Sequence, residues 1–271
     1  MRKKINLIWI ILLILSVVWI IPAAGIFMAS VRPIAETSDG WWKLQPFTFT
    51  LDNYLTVLIK RGIWKSFVTS MIITIPATIL SIIVFSFGAY AFAWLKFPGR
   101  DIIFTAIVVS LILPGQVALI PLLKLLHFLG LVDTYIGIIL IHIAFCLSWA
   151  TLLFRNFFSN IPSALIDAAK IDGCSDFRIY WNIVLPVSLP AIAATATIQF
   201  LWTWNELLFP LVFLRTKVPL TVSLINLKGR YAPEWDLLSA AAIISIIVPL
   251  FIFILLQKYF IAGLTQGIGK E

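Results

Sequence analysis

Apolar residues run through this chain in six long blocks, roughly residues 7–31, 67–94, 102–123, 135–154, 188–213 and 239–258. A helix needs about 20 apolar residues to cross the hydrocarbon core of a bilayer, so each block is long enough for one crossing. Pro76, Pro114 and Pro249 fall inside blocks, which membrane helices accept when neighbours re-satisfy the freed carbonyl groups. The pattern predicts an all-α integral membrane protein with six transmembrane helices. The loops on one side are about 35, 11 and 25 residues long, too short for a separate domain. Residues 1–271 are therefore expected to form a single transmembrane domain.

One stretch breaks the apolar pattern. Ile161 to Pro186 reads IPSALIDAAKIDGCSDFRIYWNIVLP, an amphipathic island between two blocks. Pro162 and Ser163 suit the opening of a helix. Ala164, Leu165, Ala168 and Ala169 then fall on one face at helical spacing, with Asp167 and Lys170 pointing elsewhere. A stripe so poor in bulk lets a partner approach the backbone closely. Gly173, after Asp172, is placed as a left-handed stop. Ser175 can cap a second helix, with Asp176 favourable in its first turn. Phe177, Trp181 and Val184 are expected to form that helix's apolar face before Leu185-Pro186 ends it.

Composition excludes whole classes of function. Sixty-one per cent of residues are hydrophobic and 12% charged, with a mean hydropathy of +1.04, which no ordinary soluble domain shows. The net charge of +8 does not point to nucleic acid, because the basic residues are scattered over short loops without forming a stripe. Attraction to anionic lipid headgroups accounts for it. Cys146 lies in an apolar block and Cys174 in the island, so two free thiols are expected. Arg2, Lys3 and Lys4 precede the first block and argue for a cytoplasmic N-terminus. That block is too long for the apolar core of a signal peptide and reads as a retained span. With this topology the 20 Lys and Arg divide ten inside and ten outside, so the remaining loops do not decide orientation.

The chain offers little covalent chemistry. The nearest approach to a phosphate-binding loop, GLTQGIGK from Gly263, has its first glycine one residue early and Glu271 where Ser or Thr should stand. No nucleophile–base constellation is evident, so no catalytic residue and no cofactor is expected. His142 and Cys146 are four apart on a helix, but two ligands without carboxylates make a poor metal site. In the fifth block Trp202, Asn205, Glu206 and Phe209 are spaced i, i+3, i+4, i+7, which puts them on one helical face. At about 1.5 Å per residue from position 188, that face sits in the outer half of the membrane. Aromatic rings beside an amide and a carboxylate suit a sugar. The same depth suits an aromatic belt at the membrane surface, so a substrate path and a belt are both open.

The island resembles the coupling loop of ABC importer permeases, whose pattern is Glu-Ala-Ala, three residues, Gly, then Ile-x-Leu-Pro. Asp167-Ala168-Ala169, Gly173 and Ile183-Val184-Leu185-Pro186 stand in those places. Asp167 replaces the usual Glu, and Ala164 and Ile166 stand where acids are common. Ala89-Tyr90-Ala91-Phe92-Ala93, Pro114-Gly115-Gln116-Val117, the run from Leu129 to Tyr135, Trp204-Asn205-Glu206 and the tail Gln257-Lys258-Tyr259-Phe260 resemble, in order, the maltose-type second permease subunit of the sugar importers. The resemblance implies a type I ABC importer permease fold, with residues 155–187 as a cytoplasmic coupling loop. Ala164, Leu165, Asp167, Ala168, Ala169, Asp172 and Gly173 would meet the ATPase. It also implies a second homologous permease, two ATP-binding-cassette ATPase subunits that hydrolyse the ATP, an extracytoplasmic solute-binding protein and a carbohydrate or polyol phosphate substrate. The setting would be a bacterial or archaeal plasma membrane with both termini cytoplasmic. A self-contained secondary transporter would carry ionisable groups within its spans, where Glu206 is the main candidate. A structural subunit of another membrane complex would need no docking motif.

Overall fold

A computed structural model describes residues 7–38, 40–43, 45–227 and 234–268, with side chains described as far as Gln257. In chain order the helices are α1 (Leu7–Ser30), α2 (Ile34–Thr37), α3 (Asp52–Leu55), α4 (Ile63–Trp94), α5 (Arg100–Val109), α6 (Leu119–Phe128) and α7 (Tyr135–Ser159). There follow α8 (Ser163–Ile171), α9 (Asp176–Ile179), α10 (Leu185–Val187), α11 (Leu189–Asn205), α12 (Leu208–Phe213), α13 (Leu220–Leu227) and α14 (Trp235–Ile268). Among the described residues there is no strand. α1, α4, α7 and α14 are long and apolar enough to cross a membrane unbroken. The most apolar window of α1 has a mean hydropathy of 2.8, and none of it is buried in the chain. A helix apolar all round and uncovered by its own protein belongs in lipid.

Two blocks that read as continuous helices are broken. Residues 100–112 and 115–128 form one apolar pair bent by 97°. Pro114 lies at the bend, and Leu113 before it is extended at ψ 118°. Proline disfavours helical conformation in the preceding residue and lacks the N–H that would continue the ladder. The block at 188–213 fares similarly. α11 meets the helical run 176–187 at Ser188 with a bend of 76°, and it stops at Asn205. Its 17 residues span about 26 Å. The described residues offer six membrane crossings if each bent pair makes one.

The chain divides into two compact units. The first comprises residues 1–67 and 219–248. Arg32, wholly buried, knits it together by donating to Glu36 Oε2 at 3.1 Å and to the Pro46 carbonyl at 2.7 Å. Asn53 Nδ2 donates to the carbonyls of Ser30 and Arg32. Gly25 is required here, since a Cβ would sit 2.6 Å from the Trp41 ring. Arg2, Lys3, Lys4, Lys228, Arg230 and Lys270 of the charge count lie outside the described residues.

The second unit comprises residues 68–218 and 249–271. Its α4 segment buries Thr69, Ser70, Thr74, Ala77 and Ser81, small residues that let membrane helices approach closely. On α7, Cys146, Ala150, Phe154 and Phe158 recur every fourth residue, each at most 1% exposed. They form the spine of a core shared with Phe85, Ala89 and Tyr90 of α4 and with Ala191 of α11.

Candidate functional site: a loop hairpin and a membrane cleft

The island forms a helical hairpin whose corners follow local rules. Pro162 precedes the first turn of α8. At its far end the N–H of Gly173 bonds to the Lys170 carbonyl, and the N–H of Cys174 to that of Ala169. This pair of bonds is a Schellman close, and Gly173 takes the left-handed conformation it demands, with φ +77°. Ser175 then caps α9, its hydroxyl accepting the Arg178 N–H.

The faces of the hairpin differ from the simple stripes of the sequence. Ile166 and Ala169 turn inward, 1% and 6% exposed, and join the α4–α7 core. Burying Ile166 stabilises the docking of α8 by about 2–3 kcal/mol. Ala169 therefore does not share the outer face, which carries Ala164, Leu165, Ala168 and Ile171. Asp167, Asp172 and Gly173 are exposed as well. The second arm departs further. Residues Tyr180–Val184 form a π turn between α9 and α10, and the wider turn shifts the register. Its buried face is Ile179, Tyr180 and Val184, whereas Phe177 and Trp181 are exposed and stacked on each other. Tyr180 and Ser86 share a buried hydroxyl bond of 2.8 Å, and Tyr90 donates to Asp176 at 3.3 Å. Both bonds tie the hairpin to α4. Exposed apolar side chains thus stand on both arms, Leu165 and Ile171 on the first and Phe177 and Trp181 on the second.

The second feature is a cleft of ≈ 520 Å³ walled by α7, α11, α12 and the turn at Gly115. Trp202, Asn205, Glu206 and Phe209 all line it, but not as one face of a continuous helix. The helix ends at Asn205, Glu206 is extended, and α12 starts afresh at Leu208. Glu206 explains the restart: its Oε1 accepts the N–H of Leu208 at 2.6 Å and of Phe209 at 3.2 Å. A carboxylate on the first free N–H groups of a helix is favourable. The break also removes the basis for reading depth by residue count. Phe209 stacks on Phe145 at 4.9 Å, and Trp202 meets Trp149 edge-on at 5.6 Å. Trp202 and Asn205 are exposed and Phe209 is buried.

A latch joins the turn before α7 to the segment that follows α12. Asp133, at φ +57°, accepts the N–H of Arg215 and both the N–H and hydroxyl of Thr216. Its own N–H bonds to the Phe213 carbonyl. The Thr216 hydroxyl, then the backbone donors, hold this carboxyl well below the usual range.

An amphipathic hairpin and an aromatic cleft in a chain with membrane-length helices direct attention to transport. The family described as "Binding-protein-dependent transport system inner membrane component" matches residues 64–266. The chain belongs to this family. The osmoprotective compounds uptake permease protein GgtD of Synechocystis sp. is 42% identical, over 96% of this chain and 90% of that one. The alpha-glucoside transport system permease protein AglG of Rhizobium meliloti is 44% identical, over 83% of this chain and 61% of the longer relative. A bacterial ABC transporter involved in the import of the acidic polysaccharide alginate has a chain of the same fold, with a TM-score of 0.83 at 24% identity over 96% and 99% of the two chains. The protein is thus a multi-pass inner-membrane permease component, all-α, with the type I ABC importer permease fold.

In this permease several cleft residues carry no sequence pattern. His142 and Gln199 line it, yet they lie 57 positions apart on different helices. A polar residue inside an apolar block was the available signal. His142 was legible only as a partner for Cys146. Both line the cleft, and among the described residues no group of three or more His, Cys, Asp or Glu comes together.

Proposed function

We propose that this chain is a pore-forming subunit of an ATP-driven importer of carbohydrates, and that residues 1–271 act as one transmembrane domain. Its partners are a second homologous permease, two ATP-binding-cassette ATPase subunits and an external solute-binding protein. The coupling loop 155–187 and both termini face the cytoplasm of a bacterial or archaeal cell. The observation that carries this reading is the outer face of α8. Ala164, Leu165 and Ala168 are exposed on a helix fastened from beneath by Ile166 and Ala169. A short helix with a small-residue face fits into a groove on a partner. Closure of the ATPase pair would push this hairpin as a unit. The Tyr180–Ser86 and Tyr90–Asp176 bonds would pass the push to α4, switching the pore between its two open states.

A relative named for alpha-glucosides supports a carbohydrate substrate. So does a cleft with the exposed Trp202 as a stacking surface and the exposed Asn205 as a hydrogen-bonding group. The test is uptake of labelled saccharides into proteoliposomes holding the permease pair with and without its ATPase subunits. Uptake is expected only with the ATPase, ATP and loaded binding protein together. Uptake driven by an ion gradient with no ATPase present would sink the reading in favour of a secondary transporter.

A further inference from the structure

Beneath the aromatic wall of the cleft lies a polar floor. His142 is 7% exposed and Gln199 2%. The Gln199 amide is fixed by two bonds, its Nε2 donating to the His142 carbonyl and to Thr203 Oγ1, each at 3.3 Å. Thr203 is itself 5% exposed. His142 Nε2, by contrast, is buried with no hydrogen-bond partner in the protein, while its ring lines the cleft edge-on to Phe209 at 6.4 Å. Burying a polar nitrogen unpaired is costly, and folded proteins keep few such groups without a reason. Two α7 side chains share this region, His142 and Cys146, and neither satisfies the other.

We propose that His142 Nε2 is a substrate-recognition group that hydrogen-bonds one hydroxyl of the transported carbohydrate, with Gln199 and Thr203 holding the floor in register. The inference rests on the transport reading and deepens it. A hydroxyl is both donor and acceptor, so it satisfies Nε2 in either neutral tautomer. Phe145, stacked on the buried Phe209 in the cleft wall, would meet the sugar's C–H face while the hydroxyl reaches inward. A site built to pair one hydroxyl discriminates strongly against an analogue that lacks it, because the protein group is then left unpaired. Gly115 sharpens the fit. A Cβ there would lie 3.2 Å from both Phe145 and Phe209, so only glycine leaves those two rings undisturbed.

The experiment uses the full importer in proteoliposomes. A panel of glucosides, arabinosides and polyols identifies the solute taken up fastest by the unmodified protein. That solute and its monodeoxy derivatives are then the probes. The unmodified importer is expected to lose about tenfold in KM for one derivative in particular, the scale of one hydrogen bond. In His142→Ala that derivative and the parent should be transported with equal KM, while the other derivatives behave as before. ATP hydrolysis stimulated by the loaded binding protein should persist. His142→Gln, which keeps a polar end near the Nε2 position, should restore part of the discrimination. His142→Leu carries the same expectation as the alanine variant if the latter fails to assemble. An equal loss for parent and all derivatives, or no loss at all, overturns the proposal and leaves water as the occupant of the floor. No uptake of any panel member by the unmodified importer would instead sink the transport reading, and this inference with it.

Discussion

The loop hairpin and the cleft are built by opposite means. Each corner of the hairpin is set by residues adjacent in sequence: Pro162 opens α8, Gly173 closes it, and Ser175 starts α9. The cleft is assembled from α7, α11, α12 and Gly115, positions nearly a hundred residues apart at the extremes, and its shape depends on two helix breaks. The first region should therefore tolerate changes that keep local signals and fail when its anchor is lost. The second should respond to changes at the breaks.

The largest effect is expected at the anchor. Ile166→Ala removes a buried side chain from the α4–α7 core and should cost about 2–4 kcal/mol, read as a lower melting temperature in detergent. Leu165→Ala, on the outer face, should leave the melting temperature within about 1 °C, since surface changes rarely exceed ~0.5 kcal/mol. Equal losses would erase the distinction between the two faces of α8. Next in size is Gly173→Val. Nothing crowds this glycine, so the penalty is backbone strain alone, about 1–2 kcal/mol for a side chain forced to positive φ. Gly173→Asn, which tolerates that conformation, should recover most of it.

At the cleft, Glu206→Ala strips α12 of the acceptor on its first N–H groups and should cost about 1 kcal/mol. Glu206→Gln keeps an acceptor oxygen and should cost less. Equal costs would mean that the charge matters and the hydrogen bonds do not. The smallest effect concerns Asp133. Its carboxyl is held low by Thr216 and Arg215, so its contribution is present above the unfolded-state value of about 4 and fades as pH falls through the folded value. Asp133→Ala should melt slightly below the parent at pH 7, and the gap should narrow steadily below about pH 4. The group is only half-buried, so solvent screens it and the gap is small.

The same contrast explains what the sequence made legible. Six apolar blocks sufficed for an all-α membrane protein, and the caps of α8 and α9 followed from single residues. The inward turn of Ala169 did not. Helical spacing ranks faces, but only the neighbouring core at Phe158 and Ile179 decides which face it takes. Val184 was misjoined to Phe177 and Trp181 because a π turn adds a residue that periodicity cannot anticipate. The grouping of Trp202, Asn205, Glu206 and Phe209 was reached through a helix that does not run on. A break held by a glutamate on two N–H groups brings them into one cleft. Pro114 was visible, but membrane helices often absorb a proline, and its 97° bend depends on packing.

The outer face of α8 is proposed to dock a partner ATPase. Ala168 is exposed there, so Ala168→Trp should not disturb the fold. The direct measurement is co-purification of the ATPase subunits with the variant, alongside its melting temperature. An unchanged melting temperature and loss of most of the bound ATPase are expected. A full complement of ATPase on the Ala168→Trp protein, with uptake intact, would contradict this docking.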